Sequence, residues 1–391
     1  MGLVALLLGN GLCAATLALV VAAAPWLWLH RRRQPTAGSQ LLPAWVPLEI
    51  GISSALLRSN GLASYLLFLL RRRRGSLFGL TSRHQILYNL PSVERLLAKG
   101  HDTIDTHPLG LSMLQRVFVR LHGALGAFYC RLQQYEGNQP VDFGADMSDV
   151  SLVARQRNDV FERFGVSTLH RGMVELGTLW GQNANAQPLI FWFALYIYST
   201  PGLLEALRAE VEPWLALSAT FTAATPEHPP HSALLETFRL ANEPTSIRYV
   251  SRPVTVPDGE HSHHLHPGTW ISAPHAGLQR DGSVFPDPDR FVPDRFLELD
   301  EQTGRKVPRY GKLKPWGAGV GICKGRTFAE KEMLGVIACF ITLWDMEPSG
   351  GGTWTLPGFV TGTGVMRPKE AVNVVIKRRV FCSSAHDGIK S

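Results

Sequence analysis

Apolar residues run almost unbroken from Leu3 to Leu29, with only Asn10 and Thr16 interrupting. That exceeds the about 20 residues a helix needs to cross a bilayer. The run ends in Trp26 and Trp28, suited to the lipid–water interface, and then in His30-Arg31-Arg32-Arg33. No Lys or Arg precedes it, whereas a cleaved signal peptide carries its positive charge ahead of a shorter apolar run. The pattern predicts a single-pass anchor over 1–30, with the amino terminus outside the cytosol and the rest inside. A basic, Pro-rich linker follows over 31–50, punctuated by Pro35, Pro43 and Pro47. Arg71 to Arg74, after the apolar Leu66 to Leu70, read equally as a solvated helix end or a second contact with anionic lipid.

Beyond the anchor the patterning predicts one globular part, 51–391, of α+β class and mainly helical. Residues 76–88 alternate enough for a short hairpin. Ser92 is placed to cap a helix over 93–99, and 112–135 has helical spacing in Leu114, Val117, Leu121, Leu125 and Phe128. The longest pattern spans Met173 to Tyr198 and is apolar nearly all round, which predicts burial. Gly181 to Pro188 forms a polar patch inside it, expected to face a ligand because buried polar groups need partners. Helices are expected over 201–215 and 231–242, and β-like pieces at 249–250, 254–256, 269–272 and 372–376.

Composition narrows the classes. The 391 residues include five cysteines, an odd number without a CxxC pair, which argues against a disulfide framework or structural zinc. A net charge of +7 suits an anionic membrane surface or an acidic protein partner. The basic residues are not interleaved with aromatic platforms, so nucleic acid is not expected. His261, His263, His264 and His266 lie in a Pro/Gly-rich stretch and read as a solvated loop rather than a metal cluster.

The chemistry concentrates at 315–332. Gly317, Gly319 and Gly321 at alternate positions permit a tight loop whose backbone approaches something closely. Cys323 follows, and then a helix pattern through Phe328, Ala329, Met333, Leu334 and Ile337. A cysteine at a helix amino terminus has its anionic form stabilised, as a nucleophile, a redox thiol or a metal ligand requires. Trp316, Gly319, Cys323, Gly325 and Ala329 resemble the haem-binding stretch of the cytochrome P450 family. Glu236-Thr237-Phe238-Arg239 and Pro293-Asp294-Arg295-Phe296 match two further elements of that family, in the same order. The resemblance implies haem b with Cys323 as axial thiolate and metal ligand, and Trp316, Gly319, Gly325 and Ala329 as cofactor-binding residues. It also implies a structural triad of Glu236, Arg239 and Arg295.

The stretches Pro315 to Gly319 and Trp180 to Pro188 look most like the branch of sterol 7α- and 12α-hydroxylases and prostacyclin synthase, including fungal secondary-metabolism relatives. Asn185 and Ala186 stand where most members carry an acid and a threonine, which makes Asn185 the expected catalytic, oxygen-side residue. Gly321 stands where many carry an Arg or His that reaches a haem propionate, so that contact is expected from elsewhere. Lys312, Lys314, Lys324 and Lys331 surround the loop as a basic face. About 40 residues separate Gln134 from the long helix, too few for the helices that roof the family's substrate pocket. The resemblance thus implies a haem-thiolate monooxygenase acting on an apolar terpenoid, steroid or polyketide, with part of its central helices missing. Electrons would come from NADPH–cytochrome P450 reductase, at the endoplasmic reticulum membrane with the catalytic part cytosolic. The alternatives are a haem-thiolate isomerase and a shortened haem binder without activity.

Overall fold

The computed structural model describes residues 42–50, 77–109, 152–217, 229–360 and 364–379, with 44, 47, 82, 101 and 107 excepted. The expected anchor over 1–30, most of the linker, Arg71 to Arg74 and the expected helix over 112–135 lie outside the described residues. Among the described residues no single helix is long and apolar enough to cross a membrane.

Strands β1 (Leu77–Thr81) and β2 (His84–Leu87) form the antiparallel hairpin that the 76–88 alternation predicts. Helix α1 (Leu90–Leu97) starts before the expected 93, with Pro91 in its first turn. A proline there loses nothing, because the first N–H groups of a helix have no intrahelical partner. Ser92 is therefore not the cap; its hydroxyl donates to Pro257 O at 2.8 Å and to Asp258 Oδ1 at 3.1 Å. Strands β3 (Ile104–Asp105), β4 (Asn242–Glu243), β5 (Thr245–Val250), β6 (Val254–Asp258), β7 (His261–Leu265) and β8 (Trp270–Pro274) follow. Five of them make one mixed sheet in the order β1-β2-β8-β5-β3, with β2 and β8 parallel. Leu96 and Leu97 of α1 pack on Val250 and Ile271 of this sheet.

The four-histidine stretch is not a loop. His261, His263 and His264 lie in β7, paired antiparallel with β6, with His266 just beyond it, and the two-residue period turns His263 inward and His264 outward. The buried His263 Nε2 bonds Asp258 Oδ2 at 2.8 Å. Among the described residues no group of three His, Cys, Asp or Glu side chains is arranged to hold a metal.

Helices α2 (Leu152–Arg163), α3 (Thr168–Ser199), α4 (Leu203–Leu217), α5 (Pro229–Ala241), α6 (Ala276–Gln279) and α7 (Arg326–Leu343) make up the helical part around the site. α3 begins after Ser167, earlier than expected, and runs unbroken through Pro188. The expected all-round burial holds only for its second half. Leu189, Trp192, Phe193 and Ile197 are at most 1% exposed, whereas Val174 and Trp180 are exposed. That buried half packs with Leu207 of α4, Leu234 and Phe238 of α5, and Met333, Ile337 and Ile341 of α7. Arg208 of α4 donates from Nε to Ile341 O (2.7 Å) and from Nη2 to Trp344 O (2.9 Å), placing a cation at the carboxyl end of α7.

One buried carboxylate ties this helical core to the loop beyond α6. Glu236, fully buried, accepts Arg239 Nε and Nη2 at 2.8 Å each, and Arg295 Nε at 3.0 and 3.1 Å. The amide of Val292 donates to the same carboxylate at 3.0 Å. The remaining Arg239 donors reach the carbonyls of Gln279 (2.8 Å), Pro288 (2.6 Å) and Arg290 (3.1 Å), so residues 279–295 wrap around the two guanidinium groups.

Removing one partner of a buried ionic cluster leaves the other charges uncompensated, at a cost of about 3–5 kcal/mol. Glu236→Ala should lower the unfolding free energy by that amount in a urea titration. Leu207→Ala, which opens a cavity between α4 and α7, should cost about 2–5 kcal/mol in the same assay.

Candidate active site

The loop that carries Cys323 is fixed at three points. Asn242 Nδ2 of β4 donates to Pro315 O at 3.1 Å, and the Trp316 ring meets Phe238 of α5 edge-on with centroids 4.7 Å apart. The indole N–H of Trp316 is shared between Tyr310 Oη (2.9 Å) and Glu330 Oε1 of α7 (2.8 Å). The loop then closes on itself, with the Cys323 amide donating to Trp316 O at 3.0 Å.

Glycine is required here for both conformation and space. Gly317 and Gly319 have φ of +73° and +65°, in the left-handed region. A Cβ on Gly317 would come within 3.2 Å of Ser246 Oγ, and one on Gly319 would overlap the carbonyl oxygen of Leu97. A Cβ on Gly321 would come within 2.8 Å of Arg248 Nη2. The loop is thus pressed against α1 on one side and β5 on the other.

Gly325 is the residue before α7, so Cys323 sits just ahead of a helix amino terminus. Its thiol is free and exposed, as is the Phe328 ring in the first turn, while Ala329 is half-buried. Unpartnered N–H groups and the helix dipole make this a favourable place for an anionic sulfur.

Sequence reasoning missed Arg248. Its side chain occupies the space next to Gly321, donating from Nη2 to Ala318 O (2.7 Å) and from Nη1 to Ile247 O (2.9 Å). Its Nε is buried with no hydrogen-bond partner among the described residues. Burial lowers the pKa of this arginine, but a guanidinium starts high enough to stay charged. The legible signal was the inward alternation Ser246, Arg248, Val250, which places an arginine on the buried face of a strand. Beside it His275 is nearly inaccessible, its Nε2 bonded to Ser246 Oγ at 2.9 Å. Burial, then the charges of Arg248 and Lys314, push the His275 pKa down to about 4.

Trp316, Gly319, Cys323, Gly325 and Ala329 therefore come together in one loop and helix start. Glu236, Arg239 and Arg295 form the second cluster, joined to the first through the Phe238–Trp316 contact. Asn185 stands apart on α3. It is exposed, donates to Gly181 O at 3.2 Å, and lies against Gly364. Gln187 donates to Asn183 Oδ1 at 2.9 Å, so the patch expected to be buried is a surface one whose amides are satisfied along the helix. Lys314 pairs with Glu94 at 3.1 Å, while Lys312, Lys324 and Lys331 are exposed.

The depressed His275 fixes a pH window. The unfolded chain protonates this histidine near pH 6.5, the folded chain only near 4. Its contribution to stability is complete above pH 6.5 and is lost as pH falls toward 4, by about 3 kcal/mol over that window. The urea midpoint of wild type should drop across it, and the drop should be smaller in His275→Gln.

Comparison with known proteins shows what the region is similar to. Residues 187–374 match the family model described as cytochrome P450. A cytochrome P450 monooxygenase of Gibberella zeae is 28% identical over 258 residues, 62% of this chain and 49% of that protein. The 25-hydroxycholesterol 7-alpha-hydroxylase of Rattus norvegicus is 28% identical, over 52% of this chain and 53% of that protein. The 7-alpha-hydroxycholest-4-en-3-one 12-alpha-hydroxylase of Homo sapiens is 30% identical, over 47% and 40%. The chain spans about half the length of the curated relatives it matches. Members of the matched family hold haem through a cysteine thiolate. The cysteine loop and the buried carboxylate cluster both fall inside the segment, residues 187–374, that matches the cytochrome P450 family.

Proposed function

We propose that the chain is a haem-thiolate monooxygenase with Cys323 as the axial ligand. One observation carries this reading. An unpaired, exposed cysteine is held by a closed glycine loop at the start of α7, inside the segment that matches the family. The residues fit haem b in two further respects. The buried Arg248 Nε lacks a partner beside the loop, in the space a side chain at 321 would otherwise use, and suits a haem carboxylate. Ala329 keeps the first turn of α7 slim, and Phe328 offers an exposed apolar ring in the same turn.

When bound, the haem iron supplies one-electron and oxygen chemistry, which a cysteine thiolate biases toward O–O cleavage. The chain's own share is positional. The Trp316 carbonyl holds the Cys323 amide, and the start of α7 stabilises the anionic sulfur. Arg248 would balance the charge of a haem carboxylate. Asn185 is the oxygen-side residue of α3, presenting an amide where a proton-delivering acid would stand. Lys312, Lys324 and Lys331 offer a positive surface to an acidic electron donor, which we take to be NADPH–cytochrome P450 reductase.

The remaining expectations belong to the same reading. Residues 1–30 anchor the protein in the endoplasmic reticulum membrane, 31–50 form the linker, and 51–391 the haem domain in the cytosol. The substrate is apolar, a terpenoid, steroid or polyketide of secondary metabolism, reached from the bilayer. The stretch between Gln134 and α3 contains α2, with Leu152, Val153, Val160 and Phe164 exposed, which supports a shortened centre and an open pocket. A second reading, a haem-thiolate isomerase, is favoured by one feature. Asn185 and Ala186 carry no ionisable group for proton delivery to oxygen.

The reduced, carbon-monoxide-bound protein should show the red-shifted thiolate band, and Cys323→Ala should abolish it. A variant that keeps the band overturns the assignment. Arg248→Leu should speed haem transfer to an acceptor apoprotein by about tenfold, the size of one lost charge-assisted hydrogen bond. Substrate turnover without NADPH consumption would select the isomerase, and a haem-loaded chain that turns over nothing would select the inactive binder.

A further inference from the structure

Glu330 is the residue left unused by the reading above, and it touches the cysteine loop without touching the cysteine. It projects from α7, one turn beyond Gly325 and Arg326, to a position between two other elements. Its Oε1 accepts the Trp316 indole N–H at 2.8 Å, and its Oε2 faces His231 Nε2 of α5 at 3.6 Å. Both side chains are largely buried, with 16% of Glu330 and 23% of His231 exposed. A carboxylate acceptor makes the stronger half of the shared indole bond, since the alternative partner, Tyr310 Oη, is neutral.

The consequence passes through Trp316 to Cys323. The Trp316 ring is wedged between Phe238 and Glu330, and the carbonyl of the same residue receives the Cys323 amide at 3.0 Å. Side-chain placement on one side of this residue therefore sets the main-chain bond that closes the loop on the other. Glu330 is carried by α7, the helix that Cys323 precedes, so it spans the loop like a tie-bar from the helix back to the loop's first residue. We propose that Glu330 is a positioning residue for the cysteine. By holding the Trp316 indole it keeps the 316–323 loop closed and the sulfur in register with α7. The proposal builds on Cys323 as the haem ligand, but its local content, loop closure, is separable from that.

Amide hydrogen exchange, read on the full-length chain as purified, tests it directly, because the Cys323 N–H exchanges only when the loop opens. Glu330→Ala should raise exchange at Cys323 by about tenfold, the loss of one charge-assisted bond, with exchange in Met333 to Leu343 of α7 unchanged. Glu330→Gln, which keeps a neutral acceptor, should fall close to wild type. In a Trp316→Phe background, Glu330→Ala should add nothing. The paired readout on the haem-loaded protein is the share of the carbon monoxide spectrum in the thiolate band, which should fall in Glu330→Ala and recover in Glu330→Gln. Equal exchange changes at Cys323 and along α7 would overturn the proposal, as would a Glu330→Ala effect that survives Trp316→Phe. Loss of the thiolate band in wild type, with the exchange pattern as stated, would remove the ligand assignment and leave the tie-bar standing.

Discussion

The described core is organised around a single carboxylate taken out of water. Glu236 holds the Arg239 guanidinium of its own helix, and the Arg295 guanidinium and Val292 amide of the loop beyond α6. Burying such a group is affordable only when its lone pairs are all engaged. That requirement forces residues 279–295 to wrap into a shell of carbonyls around Arg239 and Arg295. The same helix turn that presents Glu236 presents Phe238, against which Trp316 is set. An electrostatic constraint in α5 thereby becomes a steric one on the loop that carries Cys323.

A second constraint comes from the sheet. β5 is hydrogen-bonded between β8 and β3, and its inward side chains Ser246 and Arg248 form the floor beneath Gly317 and Gly321. Because those glycines have no side chain, the floor approaches the loop backbone closely enough for Arg248 to donate to Ala318 O. A positive charge thus lies directly beneath the loop.

What was legible and what was not follows from the range of the interactions. The cysteine loop was readable because glycine conformational needs leave local marks, whereas Glu236, Arg239 and Arg295 were singled out by the family resemblance rather than by their spacing alone. The hairpin at 76–88 and helices α4 and α5 were readable from periodicity. Arg248 was marked only by the alternation along β5, and His275 and the Trp316–Glu330 bond were not readable, since each depends on partners brought together only by the tertiary fold. α1 was placed late because Ser92 looked like a cap, whereas its hydroxyl is spent on the distant β6. β7 was missed because histidines flanked by Gly and Pro carry little strand signal, yet pairing with β6 decided the matter. The burial of α3 was overstated, since an apolar pattern reports what a helix can bury and not what is present to cover it.

The contact between Gly319 and Leu97 has a bearing on how the protein is made. The loop can take its shape only once α1, synthesised far earlier, and β5 have met across the sheet. Contacts so distant along the chain form late, because the entropy of closing the intervening loop must be overcome first. Cofactor capture then becomes a checkpoint on the finished fold. A nascent or misassembled chain lacks the loop that would retain haem, and only a completed one acquires the stability that ligand binding confers.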